Sequence, residues 1–236
     1  MKTKSIWGNP PKRLYKLIKI VEENKKGKFE ACIVGCSDGK FLLPFARKGY
    51  HVTGYDIDEI ALYGGVKTFP IIKNKTKYKY TPNFKSEKFE LEDRMILGLS
   101  NRIEKENLEQ YVDIELRDFY KNVPNKEFDV VFTSCSLHYT NNKDYSLKEK
   151  ILKLQKIVKE NGFLYIDYMM AIDEQDFETY PSEKFFRKGE IIDYFDKNWK
   201  IISHIENNYA SFERAHVDCV KNHFHRFGYI FVKKLN

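Results

Sequence analysis

The stretch that decides the fold runs from Phe29 to Asp58 and reads FEACIVGCSDGKFLLPFARKGYHVTGYDID. Ala31 to Val34 is a short apolar run that reads as a strand, and Gly35 to Gly39 reads as a tight turn. Phe41, Leu42, Phe45 and Ala46 then share one side of a helix, and a second strand ends at Asp56. The pattern is one βαβ unit. Gly35 lets the backbone bend sharply and approach a ligand closely, and the first amides of the next helix have no intrahelical acceptor. Asp56 follows about twenty residues on, at a strand end, where a carboxylate accepts from the two hydroxyls of a ribose. The unit suits a nucleoside.

The turn Gly35-Cys36-Ser37-Asp38-Gly39 lacks the third glycine of a dinucleotide-binding G-x-G-x-x-G, because Leu42 stands in that place. It resembles the first motif of class I S-adenosylmethionine-dependent methyltransferases, in which an apolar strand leads into G-x-G-x-G and an acid ends the next strand. Ser37 replaces the middle glycine of that pattern, which the turn tolerates if its φ is negative. Asp118-Phe119, after a strand from Tyr111 to Leu116, resembles the family's adenine clamp. The resemblance implies a carboxylate accepting from the exocyclic amine and a following amide that meets the ring. Phe128 to Thr133 reads as a buried strand, and its loop Ser134-Cys135-Ser136-Leu137-His138-Tyr139 resembles the fourth motif of small-molecule methyltransferases. Tyr180 to Trp199 resembles the lid and helix found in the tellurite-resistance and thiopurine-type branch.

The resemblance implies a Rossmann-like, doubly wound α/β fold whose seven-stranded sheet is mostly parallel with an antiparallel last strand. It implies S-adenosyl-L-methionine as cofactor, held by Gly35, Cys36, Ser37, Asp38, Gly39, Asp56, Ile57, Asp118, Phe119, Ser134 and Cys135. A small-molecule acceptor follows from the same branch, with in-line methyl transfer as the reaction. Other chemistry on that cofactor, such as aminocarboxypropyl transfer or cyclisation, stays open beside it.

The 236 residues are enough for one α/β domain with a sizeable core, and residues 1–236 read as that single domain. The composition, 42% hydrophobic and 32% charged, is that of a soluble globular protein. No apolar run has the length of a membrane span, and no signal-peptide core follows Met1, so a cytoplasmic protein is expected. Cys32, Cys36, Cys135 and Cys219 lack C-x-x-C spacing, so reduced thiols are expected. The net charge of +7 is spread along the chain as lysine without an arginine-rich stripe or an RNP-type motif, which disfavours nucleic acid as partner. An RNA-binding protein that uses its lysine-rich segment remains the rival from another class.

Residues 1–11 read as an extended arm, since Pro10 and Pro11 forbid helix until they are passed, and Trp7 on it reads as a cofactor lid or a plain anchor. Leu14, Leu17, Ile18 and Val21 then mark a helix over 12–24. Residues 65–92 read as an insertion or lid, with seven lysines against three glutamates between Val66 and Glu92, suited to an acidic substrate. Helices are expected over 94–106 and 143–160, the latter ended by Asn161-Gly162, and the fifth strand from Phe163 to about Asp167. Strands over 200–205 and 227–233 complete the sheet.

Between those last strands lies a loop, FERAHVDCVKNHFHRFG, with three histidines. His216 with Asp218, and His223 with His225, are two apart and share a side in extended chain. Three readings stand: a metal site, a polar substrate pocket using His216 and His223 as bases or donors, and a surface hairpin. No metal pattern such as C-x-x-C or H-x-x-x-H supports the first. For catalysis His138 is the first candidate base or substrate contact, with Tyr139 beside it, and His216 and His223 come second.

Overall fold

The computed structural model describes residues 2–71, 90–137, 144–172, 185–213 and 223–236. In chain order its elements are α1 (Lys12–Asn24), β1 (Glu30–Val34), α2 (Leu43–Ala46), β2 (His51–Asp56), α3 (Glu59–Tyr63), β3 (Gly65–Ile71) and β4 (Glu90–Ile96). They continue with α4 (Leu99–Glu106), β5 (Val112–Leu116), β6 (Phe128–Ser134), α5 (Leu147–Lys156), β7 (Val158–Met170), β8 (Trp199–Glu206), β9 (Ser211–Glu213) and β10 (His223–Lys234). The main sheet runs β5-β2-β1-β6-β7-β10-β8, with the short β9 paired to β10. β5, β2, β1, β6 and β7 are mutually parallel, and β10 is antiparallel to both β7 and β8. The expected mostly parallel sheet with an antiparallel last strand is present.

The register decides where a ligand can sit. Val34 pairs with Tyr55 on one side and Thr133 on the other, Asp56 pairs with Leu116, Ser134 with Asp167, and Asp167 with Tyr229. The carboxyl ends of five parallel strands therefore form one edge. After β1 the chain crosses to β2 on one side, while β6 returns on the other, so a crevice opens above β1 and β6. Both faces of the sheet are covered. On one face Leu14, Leu17, Ile18 and Val21 of α1 pack with Phe45, Phe163 and Phe231; on the other Leu147, Ile151 and Leu154 of α5 pack with Val131, Leu164 and Ile230. Strands buried on both faces lose the period of two, which is why β1 reads as a continuous apolar run.

Several boundaries differ from the sequence reading. Arg94 to Ile96 belong to β4, and α4 starts only at Leu99, after Gly98. A Cβ on Gly98 would fall on the backbone of Tyr63 and Gly64, so that residue serves a close chain crossing and not a helix. The 65–92 segment begins and ends in strands, because β3 and β4 pair from Gly65 with Ile96 to Ile71 with Glu90 as a separate two-stranded sheet; residues 72–89 lie outside the described residues. The helix after Gly39 is a single α-turn, with Pro44 tolerated in its first turn. The helix expected over 143–160 runs only from Leu147, where Ser146 and Glu149 form a reciprocal capping box, to Lys156. Asn161-Gly162 ends no helix: Val158 already pairs with Phe128, and Asn161 (φ 59°) with Gly162 forms an irregularity within β7. β10 starts at His223, not Phe227.

The amino-terminal arm is fastened to the turn after β1. Ser5 Oγ donates to Asp38 Oδ1 at 2.7 Å and the Ile6 amide donates to Asp38 Oδ2 at 2.8 Å. Arg102 of α4 pairs with the same carboxylate at 3.1 Å and donates to the Asp38 carbonyl and, through Nε, to Thr3 Oγ1 at 2.8 Å. One turn of helix further on, Glu106 accepts from the Thr3 amide at 2.8 Å, from Thr3 Oγ1 at 2.6 Å, and from Arg47 Nε and Nη2 at 2.6 and 2.7 Å.

Burial alone would raise the Glu106 carboxyl, but the hydrogen bonds from Arg47 and Thr3 outweigh it and hold the group at about 2 against an ordinary 4.5. Since the folded value is the depressed one, the stabilisation is complete above about 4.5 and is lost as pH falls towards 2. Glu106→Gln is therefore expected to cost roughly 2 kcal/mol at neutral pH. Urea unfolding of both proteins across the acid range checks this, the difference between them shrinking as the pH drops.

Candidate functional site

The turn from Gly35 to Gly39 turns back under the end of β2. Gly35 and Gly39 have φ of 71° and 88°. The Gly35 and Cys36 amides both donate to the Tyr55 carbonyl, at 2.8 and 3.1 Å. Ser37 does not have the negative φ that its place in the motif calls for: its φ is +46°. Two hydrogen bonds hold it there. Its amide donates to Asp56 Oδ2 at 2.6 Å, and its hydroxyl accepts from Trp7 Nε1 at 2.9 Å. Trp7 thus sits on the glycine turn, fastened to the one residue that departs from the motif. Cys36 is buried, and burial followed by the nearby Asp56 charge pushes its thiol well above the ordinary range, so it supplies no thiolate.

Asp56 accepts the Ser37 amide on Oδ2 and the Asp58 amide, at 2.9 Å, on Oδ1. Each oxygen keeps a lone pair for an outside donor. Burial raises the Asp56 carboxyl, and the amides of Asp58, Ser37 and Ile57 oppose that rise. Ile57, next along, is an exposed apolar side chain at 42%. Across β5, Asp118 Oδ1 accepts from the Tyr120 amide at 3.0 Å, while Phe119 is buried against Tyr55 with ring centroids 5.8 Å apart. The Phe119 ring is thus part of the core, whereas Ile57 is exposed and Asp118 is half-buried.

The loop leaving β6 is pinned from both faces of the sheet. Ser134 Oγ donates to Asp167 Oδ2 at 3.1 Å and the Cys135 amide donates to the Asp167 carbonyl at 2.8 Å. From the other face Lys150 Nζ, fully buried, donates to the Leu137 carbonyl at 2.7 Å. Cys135 has φ +54°, a second non-glycine residue in the left-handed region at this edge. Gly35 is packed against this loop so closely that an added Cβ would lie 2.8 Å from Ser136 Cβ. The two loops facing the crevice are thus in direct contact.

Asp167 is 3% exposed and is paired with Arg13 of α1. Burial raises its carboxyl, against the opposing Arg13 charge and the Ser134 hydrogen bond. For Arg13, burial lowers the guanidinium but Asp167 outweighs it, so the net direction is up. Lys40, immediately after Gly39, is half-buried; desolvation lowers it, with Cys135, Asp167 and Asp38 acting against the Arg13 charge.

His138, Tyr139, His216 and Asp218 lie outside the described residues. His223 and His225 do not lie in a loop: they are in β10, opposite Glu213 and Ser211 of β9. Among the described residues no group of three or more His, Cys, Asp or Glu side chains is gathered as a metal site, and no described helix is long and apolar enough to cross a membrane. None of Cys32, Cys36 and Cys135 is in a disulfide. Arg13, Lys40, Arg102, Lys150 and Asp167 escaped the sequence reading. Lys40 alone carried a signal, by adjoining the turn; Arg13 and Asp167 are 154 residues apart in the chain.

A serine in the left-handed region costs about 1 kcal/mol, close to what one hydrogen bond contributes. Ser37→Gly is therefore expected to leave stability nearly unchanged in the native background, the strain relief offsetting the loss of the Trp7 bond. In a Trp7→Phe background, where that bond is already absent, the same change is expected to stabilise by about 1 kcal/mol. A double-mutant cycle by chemical denaturation measures the difference.

Among curated proteins no sequence match is found. The fold is shared with solved structures at low identity. TehB from Haemophilus influenzae is 15% identical over 95% of this chain, with a TM-score of 0.61; the chain spans 62% of that protein's length. The N-methyltransferase NodS from Bradyrhizobium japonicum WM9 is 10% identical, covering 95% of this chain and 96% of its own, at a TM-score of 0.56. Magnesium protoporphyrin IX methyltransferase ChlM from Synechocystis PCC 6803, solved with bound SAH, is 11% identical over 94% of this chain and 82% of its own, at 0.55. The family model described as a methyltransferase domain matches residues 15–219, from α1 through the β6 loop and past β9, and the chain belongs to that family.

Proposed function

We propose that the protein is an S-adenosylmethionine-dependent methyltransferase that acts on a small, acidic molecule by in-line transfer. The observation that carries this reading is the Asp56 carboxylate: held by two backbone amides at the end of β2, it retains lone pairs towards the crevice beside the glycine turn. Asp56 would take the ribose hydroxyls, Ile57 and Asp118 the adenine, and the Gly35 to Gly39 turn with Ser134 and Cys135 the amino-acid end. The cofactor supplies a methyl group on a sulfonium, already a good leaving group, so the chain has mainly to orient the acceptor, exclude water and remove a proton. His138 and Tyr139, in the segment that continues the β6 loop, are assigned to the proton and the acceptor; His216 and His223 are the second choice. Residues 65–92 would form a lysine-rich lid over an acidic substrate, within one domain spanning residues 1–236. Nucleic acid and membrane are not partners in this reading.

Isothermal titration with S-adenosylmethionine tests it. Binding in the micromolar range is expected, and Asp56→Ala should weaken it about 30-fold or more, the loss of two hydrogen bonds to a charged acceptor. Unchanged affinity in that variant removes the ribose assignment. Chromatography of the nucleoside after turnover identifies the reaction: S-adenosylhomocysteine reports methyl transfer, and methylthioadenosine reports the aminocarboxypropyl alternative. Retention on RNA that falls steeply with salt would favour the RNA-binding rival.

A further inference from the structure

We infer that Lys40 and the Tyr165 hydroxyl form a subsite for the carboxylate of a small aromatic substrate, beside the glycine turn, with Arg13 at the Tyr229 end of its aromatic wall. This rests on the methyltransferase reading, whose substrate class it names.

Three features carry it. Lys40 is a half-buried ammonium that makes a contact with the Phe41 ring, 5.3 Å from its centroid, and no hydrogen bond or ion pair to any described residue. The Tyr165 hydroxyl is buried, its residue 2% exposed, and has no hydrogen-bond partner among the described residues. Leaving such a group unpaired costs about 1–3 kcal/mol, which a ligand oxygen accepting from it would recover. The two groups adjoin one set of rings: Lys40 lies over Phe41, which packs on Phe132, and Phe132 stacks on Tyr165.

The charge balance selects the ligand. The Asp167 charge is matched by Arg13, and that of Asp38 by Arg102, which leaves Lys40 as the one uncompensated charge of the group. A single positive charge and a hydroxyl donor on the same cluster of rings suit a carboxylate, with one negative charge and two acceptor oxygens; a phosphate dianion would stay half-matched. The body of the ligand is suggested by the rings. Phe41, Phe132, Tyr165 and Tyr229 form a ladder with centroid spacings of 4.9, 4.6 and 5.8 Å. Its two ends, Phe41 and Tyr229, are only half-buried, and the Arg13 guanidinium lies over the Tyr229 ring at 5.6 Å. A flat ring carrying a carboxylate would meet apolar ring faces and a cation together.

The probes are benzoate and its neutral isostere benzamide, each titrated against the full chain saturated with S-adenosylhomocysteine and followed by the thermal unfolding midpoint. Benzoate should raise the midpoint and benzamide should not. Lys40→Gln should weaken benzoate about tenfold, Tyr165→Phe should weaken it by a smaller factor, and S-adenosylhomocysteine affinity should stay within about threefold in both. Equal shifts from benzoate and benzamide, or a benzoate shift that survives Lys40→Gln, overturns the subsite. A tenfold loss of S-adenosylhomocysteine in Lys40→Gln, with adenosine affinity unchanged, also overturns it, because Lys40 would then read the cofactor's own carboxylate. Should the native protein not bind S-adenosylhomocysteine at all, the methyltransferase reading fails on its own, and the benzoate and benzamide comparison without nucleoside still decides the anion subsite.

Discussion

The ion pair between Asp38 and Arg102 is the constraint on which the glycine turn depends. Both side chains are almost fully buried, at 1% and 3% exposure, and water does little to screen them. Desolvation lowers the Arg102 guanidinium, with Asp38 and Glu106 opposing it. Taking either charge away would strand the other, which in such settings costs about 3–5 kcal/mol. Its spare capacity is filled: Asp38 also accepts from Ser5 and the Ile6 amide, and Arg102 reaches Thr3. The turn, the arm and α4 are thereby held in one arrangement. Asp38, which the motif offers as a cofactor contact, has both carboxylate oxygens committed to the protein itself.

That fixed arrangement supports backbone strain nearby. Ser37 and Cys135 both sit in the left-handed region, one after β1 and one after β6, on two loops that touch each other at the carboxyl edge of the sheet. Each is held by partners from elsewhere in the chain, Ser37 by Asp56 and Trp7, Cys135 by the Asp167 carbonyl. Strain of this kind persists where the surroundings over-determine it, and it gathers at functional edges. The same hydrogen bonds orient the Asp56 carboxylate before any ligand arrives, so little reorganisation is left for binding.

How much of this was legible in the sequence follows from how local each signal is. The β1 run, the turn and Asp56 lie within thirty residues and depend on local sterics and period, so the βαβ unit and the cofactor edge were readable from Phe29 to Asp58. Order and direction of the strands came with the family resemblance. The start of α4 was misread because Arg94, Met95 and Ile96 have acceptable helix propensity, and only their pairing with β3 puts them in a strand. The histidines at 223 and 225 looked like loop because β9, three residues long, gives hardly any pattern of its own. Lys150 lies in an amphipathic helix where a lysine normally marks the solvated side, yet it is buried on a carbonyl of the β6 loop. Such contacts, like Arg13 with Asp167, exist only after distant elements dock, and no local rule contains them.

The two sides of the crevice differ in charge, and the difference bears on the chemistry proposed for it. Asp56 ends β2 and Asp118 follows β5, while Lys40 follows the glycine turn and the Arg13–Asp167 pair joins α1 to β7. When a sulfonium gives its methyl group to an anionic acceptor, two opposite charges become two neutral groups, so the transition state carries less charge than the reactants. A site that solvated the reacting atom strongly would favour the reactants and slow the step. A cation that reads a remote carboxylate orients the acceptor without touching the reacting atom. Lys40 in the proposed subsite meets that requirement, since its charge is spent on holding the substrate and not on the transfer.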